Sequence, residues 1–392
     1  MLWDHVSGLV ARGHKVESWC PSTANQDFLP LSQLCVEHVL PWKPEGFWKA
    51  SLGLWHLLRE MDAHCRQCSQ QIQAKEFDVL FANSCHLLAT TPIGRYVQIP
   101  SVLYLQEPHR EFYEALPELP WIGTTKAGKG LRRFRLARSL ANVIRLHSMR
   151  TQARSEISNA AAFDKILVNS LYSRESVLRA YELDAQVCYP GIDAGRFHPS
   201  SEPIGDYIIG LGAIGYHKGL DRAIRGVGAV PSNIRPRLIW VGNACYDRHY
   251  RDEVKALAKS LDVQFEIRQM VPDADLVSLL CRARLMLYTS RLEPFGLAPL
   301  EANACGVPVV AIAEGGVRET IQHGQNGLLV PDADPSRLAT AISSLLDQSD
   351  FNQEIRFKAR SLILERWSLE AAISRLEEGL LGAIQTRNAP RI

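Results

Sequence analysis

The sequence has no run of 18 apolar residues, which is about the minimum for a helix that crosses a bilayer. It shows no charged leader followed by an apolar stretch, so an export signal is not expected either. Strong charge of one sign is also missing. The 44 Lys and Arg residues against 42 Asp and Glu leave a net charge of +2, far from the clustered basic excess of a nucleic-acid binder. Polar low-complexity tracts are absent, and 46% hydrophobic with 22% charged residues is the composition of a chain that folds. The nine cysteines are an odd number scattered between Cys20 and Cys305, unlike the dense framework of a small secreted domain. Reduced thiols and a cytoplasmic setting are expected. Cys65 and Cys68, just after His64, have metal-like spacing. A structural zinc site needs four ligands, however, and no second pair exists, so the two read as ordinary helix residues.

What is present is an alternating β/α rhythm. At 392 residues the chain calls for two domains. Val6 to Val10, followed by Arg12-Gly13-His14, reads as a helix end with a glycine stop, and Lys15 to Cys20 as a short strand. The chain thus opens inside a helix, without the strand and tight glycine turn that normally start a parallel α/β domain. Further strands are expected at Asp78 to Ala82, Ser101 to Leu105 and Lys165 to Val168. Pro, Gly and Asp gather between Val187 and Pro199, which places a boundary there: residues 1–188 form one domain, rejoined by a helix in 370–392, and residues 189–369 form the other. In the second half, strands are expected at Tyr207 to Leu211, Arg237 to Val241, Val263 to Ile267, Leu285 to Tyr288, Val307 to Ala311 and Gly327 to Val330. The fold class is α/β, with two Rossmann-like domains.

The segment LMLYTSRLEPFGLAPLEANACGVPVVA, from Leu285 to Ala311, carries the chemistry. A short apolar strand leads to Glu293, Pro294, Phe295 and Gly296, and a helix follows from about Leu297 to the stop at Gly306. Ligands of open α/β sheets bind at this carboxyl edge of the strands. The N–H groups of Phe295, Gly296 and Leu297 are helix-start donors, and with the helix dipole they suit a diphosphate. Glu293 lies before the helix and Glu301 about one turn inside it, so one carboxylate can meet a sugar and the other a ribose. A second glycine turn, Gly315-Gly316, follows the next strand, with Glu319 as an early helix residue. The turn from Gly210 to Gly219, which includes Gly212, carries Lys218 toward the phosphates, where a charge-assisted bond is worth about 1.5–3 kcal/mol. Two Asp-x-Asp triplets, Asp273 to Asp275 and Asp332 to Asp334, read as helix caps rather than a metal clamp.

The stretch from Tyr207 to Leu346 resembles the donor domain of the retaining GT-B glycosyltransferases of family 4. The resemblance rests on EPFGLAPLE (Glu, seven residues, Glu), the following GVPVVA, GG-x-x-E at Gly315 to Glu319, and NGLLV at Asn326 to Val330. More loosely, VNSLYSRE at Val168 to Glu175, YPGIDAGRFHP at Tyr189 to Pro199 and LVARGHKV at Leu9 to Val16 are similar to other parts of that family. The resemblance implies two Rossmann-like domains facing across a cleft. It also implies a nucleotide-diphosphate sugar such as a UDP- or GDP-sugar as co-substrate, no metal or other cofactor, and transfer of a hexose-type sugar with retention to a glycan or lipid-linked acceptor. By it, Glu301 holds the donor ribose, and Glu293 with the Phe295 to Leu297 backbone addresses sugar and diphosphate. Lys218 lies on the phosphates, and Gly212, Gly315 and Gly316 line the donor.

Three departures stand out. The family commonly has Arg five residues before the lysine of the second motif, and here that position is Ala213. Where many members carry His after the strand at Ser101 to Leu105, this chain reads LQEPHREFYE. Gln106 holds that place, with Glu107 and His109 beside it on the acceptor side, and Gln can hydrogen-bond a sugar hydroxyl but cannot act as a base. The family's first strand and glycine loop have no counterpart. These departures motivate an alternative: a GT-B protein that binds a nucleotide sugar with impaired or lost catalysis. A purely structural Rossmann-like partner protein is a more distant reading. From Lys126 to Arg154 there are nine Lys or Arg and no Asp or Glu, which suits peripheral contact with an anionic membrane at its inner face. Leu136 and Val143 fall among the arginines on a helical wheel, so this is no clean interfacial helix.

Overall fold

The structure, a computed structural model, describes residues 1–25, 27–42, 51–84, 87–114, 132–346 and 350–388, without the side chains of 51–53, 132–142, 350–352 and 388. Two compact units divide the chain. The first comprises Met1–Asn169, Ser173–Cys188 and Ile373–Ile392, and the second Ser170–Tyr172 and Tyr189–Ala372.

In the first unit the order is α1 (Leu2–Ala11), β1 (Glu17–Pro21), β2 (Val36–Leu40), α2 (Ser51–Gln73), β3 (Leu80–Asn83), β4 (Ser101–Tyr104), α3 (Arg110–Tyr113), α4 (Arg132–Ala160), β5 (Lys165–Val168), α5 (Leu171–Tyr181) and β6 (Gln186–Val187). Strands β3 to β6 form one parallel sheet in chain order, and β1 and β2 form a separate parallel pair. Each of β1 and β3 keeps one edge without a ladder partner among the described residues. The apolar run SVLY makes β4 wholly buried, as a strand covered on both faces requires. In α2, Cys65 and Cys68 are buried core residues, and burial pushes the Cys68 thiol up to about 11. All eight described cysteines are free thiols.

The second unit runs β7 (Tyr207–Leu211), α6 (Leu220–Gly228), β8 (Arg237–Val241), α7 (Arg248–Ser260), β9 (Phe265–Arg268), α8 (Asp273–Cys281), β10 (Met286–Tyr288), α9 (Leu297–Ala304), β11 (Val309–Ile312), α10 (Val317–Thr320), β12 (Gly327–Val330), α11 (Pro335–Leu346) and α12 (Asp350–Arg366). Helix α13 (Leu369–Asn388) is the last described element, and from Ile373 on it belongs to the first unit. The six parallel strands lie in the order β12-β11-β10-β7-β8-β9. This is the doubly wound arrangement, in which the first strand is central and the winding reverses between β7 and β10. Side chains alternate across the sheet: Ile208, Leu238 and Leu287 join the core under α6, α7 and α11, whereas Ile209, Ile239 and Met286 join the one under α9 and α12.

Strand ends differ from the sequence expectation by one or two residues at β1, β3, β4, β9, β10 and β11, and two strands were not anticipated. Strand β2 escapes the periodicity because Glu37 and His38 interrupt its two valines, Val36 and Val39, and both remain exposed. Strand β6 is only two residues long. The Asp-x-Asp triplets also split. Asp334 caps α11, its Oδ1 accepting the Ser336 N–H at 2.8 Å and the Arg337 N–H at 3.2 Å. Asp273 does not cap: Pro272 takes the position before α8, so Asp273 and Asp275 fall in its first turn, where the dipole favours acidic groups, and Asp273 pairs with Arg196 at 2.7 Å.

Candidate functional site

The reversal of winding brings two loops together in the second unit, one after β7 and one after β10. The first carries Lys218 on a single 3-10 turn, Tyr216–Lys218. Gly212 opens this loop, and a side chain there would lie 3.2 Å from the Lys218 Cδ, so the glycine leaves room for the lysine stem to lie across the backbone. The second loop carries Glu293, and the two meet: Lys218 Nζ donates to Glu293 Oε2 at 2.7 Å. The buried Tyr288 hydroxyl also contacts the Glu293 carboxylate.

Helix α9 starts at this point. Gly296 precedes it with φ +99°, and Pro299 in its first turn has no N–H to lose. Among the described residues, the N–H groups of Phe295, Gly296 and Leu297 donate to no main-chain carbonyl. The Phe295 ring packs against Tyr189 and Trp367 in the core, so only its backbone is available to a ligand. Glu301 lies one turn into α9 with no ion pair or side-chain hydrogen bond among the described residues. Burial pushes its carboxyl up to about 7; Arg196 opposes the rise and Asp273 adds to it.

The turn at Gly315-Gly316 packs against the Glu293 loop. Its Gly316 N–H donates to the Glu293 carbonyl at 2.7 Å, so that donor is already engaged. A Cβ on Gly316 would lie 2.0 Å from the Pro294 carbonyl oxygen, and one on Gly315 2.3 Å from that of Glu293. The glycines therefore allow backbone to lie on backbone, holding the Glu293 loop from behind. Glu319 also braces: its carboxylate accepts the N–H groups of Leu171 at 2.8 Å and Tyr172 at 3.0 Å and the Tyr189 hydroxyl at 2.9 Å.

Sequence reasoning missed the clamp between the two loops. Arg291, 8% exposed, makes a fork to Asp221 at 2.8 and 3.1 Å, donates to the Tyr216 carbonyl at 2.5 Å and stacks 3.8 Å over the Tyr216 ring. The Tyr250 hydroxyl donates to the same Asp221 at 2.6 Å. Burial raises the Asp221 carboxyl, but the bonds from Arg291 and Tyr250 outweigh it and hold the group below the usual range. The only sequence signal was a cation two residues before Glu293. Arg291 does not replace the cation missing at Ala213, because its guanidinium is committed; Arg222 is likewise committed to Glu314 at 2.9 Å.

In the first unit, Gln106 follows β4 and its N–H donates to Ser84 Oγ at 3.2 Å. Glu107 lies 3.4 Å from Arg110, which pairs more closely with Glu114 at 2.7 Å. His109 faces the buried Glu156, Nδ1 to Oε1 at 3.7 Å. Of the basic stretch, Lys126 and Lys129 lie outside the described residues, as do the side chains of Arg132, Arg133, Arg135 and Arg138. No described helix is long and apolar enough to cross a membrane.

Residues 197–362 match the family model for glycosyl transferases group 1. A D-inositol 3-phosphate glycosyltransferase of Acidothermus cellulolyticus is 30% identical over 258 residues, covering 60% of this chain and 56% of that protein. The chain thus spans about half the length of the curated relatives it matches. Among solved structures, Anabaena HepE in complex with UDP and glucose aligns with a TM-score of 0.70 at 20% identity, covering 97% of this chain and 94% of that one. Sucrose-phosphate synthase from Thermosynechococcus elongatus aligns with a TM-score of 0.70 at 18% identity, over 98% and 92%. The fold is GT-B.

Proposed function

We propose that this protein is a glycosyltransferase that moves a hexose-type sugar, with retention, from a UDP- or GDP-sugar to a glycan or lipid-linked acceptor. The observation that carries the reading is the Lys218–Glu293 pair beside the open start of α9, at the point where the sheet reverses its winding. A cation, helix-start N–H groups and a carboxylate are what a sugar diphosphate needs: charge on the bridging phosphates and an acceptor for sugar hydroxyls. Glu301, desolvated and without a side-chain partner among the described residues, suits the ribose hydroxyls. In the proposed step the bond from the anomeric carbon to the diphosphate breaks with its electron pair going to the diphosphate, the acceptor oxygen bonds to the same face, and its proton passes to the departing diphosphate. Lys218 and the α9 dipole stabilise the charge that develops, and no metal is invoked for that. This reading puts the protein on the cytoplasmic side, with peripheral contact to the inner face of the membrane through the basic stretch that ends at Arg154.

The test is a panel of UDP- and GDP-sugars with glycan and lipid-linked acceptors, scored for release of nucleoside diphosphate and for the anomeric configuration of the product by NMR. Release with a retained anomer supports the reading. Binding without release favours a donor-binding protein that has lost catalysis, as Ala213 and Gln106 suggest, and no binding to any donor removes both.

The Glu301 assignment predicts a pH dependence. Because its folded pKa lies above the ordinary 4.5, the ionised form that best accepts two ribose hydroxyls is populated only as pH rises through about 7. Affinity for UDP-glucose, whose diphosphate does not titrate in this range, should rise by about tenfold between pH 6 and pH 8. Glu301→Gln should flatten that curve. Calorimetric titrations at several pH values would expose a wrong assignment by giving parallel curves for the two proteins.

A further inference from the structure

We propose that a cavity between α2 and α4 in the first unit is a binding site for an acidic sugar, a ring that bears a carboxylate or a phosphate. Lys218, Glu293 and Glu301 do not line it, nor do Gln106, Glu107 and His109. The site therefore stands apart from sugar transfer and does not depend on it.

The cavity follows from two helical stripes. Positions 55, 58, 59 and 62 share one face of α2, and positions 151, 155 and 159 share one face of α4, each set spaced by three or four residues. A seam between packed helices is ordinarily filled by apolar side chains. Here α4 brings the short polar side chains of Thr151, Ser155 and Asn159, and α2 brings Trp55 and Arg59 among others, so the seam stays open. About 330 Å³ remains, at the small end of ligand sites and enough for one sugar ring with its acidic group. Leu88 and Pro92, both buried, give it an apolar lining.

The polar groups around this space have unused capacity. Asn159 is 0% exposed; its Nδ2 donates to the Thr90 carbonyl at 3.3 Å, and its Oδ1 has no hydrogen-bond partner. A buried acceptor in that state is uncommon in a folded protein. Among the described residues Arg59 makes no ion pair or hydrogen bond, and Arg95 makes a single long bond, to the Ser155 carbonyl at 3.5 Å. Asp62, the carboxylate on the lining, is already engaged: one oxygen takes Arg66 Nε at 3.0 Å and the other the Tyr96 hydroxyl. Two guanidiniums thus stand at the cavity without a carboxylate of their own.

An acidic sugar uses all of these groups together. Its anion meets the two guanidiniums, and its hydroxyls donate to Asn159 Oδ1 and accept from Thr151 and Ser155. Its ring carbons lie on Trp55, whose 58% exposure leaves much of the indole uncovered. A bare anion would leave Asn159 and Trp55 unused, and a neutral sugar would leave both cations without a partner. An apolar ligand would strip water from two unpaired charges.

The test uses the full chain with 15N-labelled tryptophan, the Trp55 indole signal being assigned by its loss in Trp55→Phe. Titration with glucuronate should shift that signal saturably, with half-saturation at about 1 mM, the affinity open to a ligand of that size. Glucose 6-phosphate should do the same, whereas glucose and inorganic phosphate should each need at least about tenfold more. Arg59 and Arg95 are exposed, so replacing them does not threaten the fold. Arg59→Gln and Arg95→Gln should each weaken glucuronate by about tenfold, the loss of one charge-assisted bond. Binding of the methyl glycoside of glucuronate as well supports the end of a glycan as the source of the ligand, and binding of the free sugar alone supports a free acidic sugar. No shift up to about 20 mM, an equal response to inorganic phosphate, or an affinity unchanged in both arginine variants overturns the proposal. The titration needs no nucleotide sugar, so a failure to release UDP from any donor counts against the transferase reading and leaves this result standing.

Discussion

Replacing Lys218 by alanine is expected to lower kcat for sugar transfer by about 10²–10³-fold, the size seen when one preorganised donor to a developing oxyanion is removed. The reason lies in where the ammonium is held. Its stem crosses Gly212 and its Nζ is anchored to Glu293, so the charge is in place before any diphosphate arrives and needs little reorganisation when the leaving group takes up electrons. The same variant should weaken UDP binding by about 10–100-fold, the equivalent of one charge-assisted bond of 1.5–3 kcal/mol. Uridine, which lacks the phosphates, should bind Lys218→Ala and the unaltered protein alike. Isothermal titration with both ligands decides the matter: an equal loss for uridine would mean that Lys218 shapes the pocket rather than meeting the diphosphate. Glu293 loses its cation in this variant but keeps the Tyr288 hydroxyl, so the thermal denaturation profile should stay close to that of the unaltered protein.

The second large effect concerns stability. Arg291→Met should destabilise the protein by about 3–5 kcal/mol, because it leaves Asp221 largely enclosed without its cation. In thermal unfolding that corresponds to a fall in Tm of roughly 6–20 °C. Adding Asp221→Asn should recover part of the loss, since the uncompensated charge is then gone while the Tyr250 hydroxyl retains an acceptor. A double variant no more stable than the single would show that the cost is lost packing over Tyr216 and not an orphaned carboxylate. The pH dependence has a definite sign. The folded pKa of Asp221 is depressed, so its contribution is complete above the ordinary value of 3.8 and is lost as pH falls through the folded value. Arg291→Met should accordingly lie furthest below the unaltered protein near neutral pH and approach it in acid.

These two effects come from neighbouring loops, yet only one could be foreseen. Lys218 follows a strand and a glycine turn, and that local pattern was enough to single it out. Arg291 has no such mark. Its partner Asp221 is 70 residues away, and their meeting depends on β7 and β10 being neighbours although β8 and β9 intervene in the chain. The same applies to Gly315-Gly316: a glycine pair after a strand reads as a turn, but only the approach of the Glu293–Pro294 backbone shows why no side chain fits.

The sequence by itself determined the alternation of strands and helices, the place of most strands to within two residues, and the spacing that sets Glu293 before α9 and Glu301 one turn within it. Those features follow from periodicities of two and 3.6 residues and from the backbone freedom of a few glycines, all of which act over a handful of positions. The tertiary structure decided which charges are spent on each other. Lys218 meets Glu293, Arg291 closes on Asp221, Glu319 accepts the Leu171 and Tyr172 N–H groups, and Glu156 is buried behind His109. Ion pairing and desolvation are sums over atoms brought together from distant segments, so they come into being only once the order of strands in the sheet is settled.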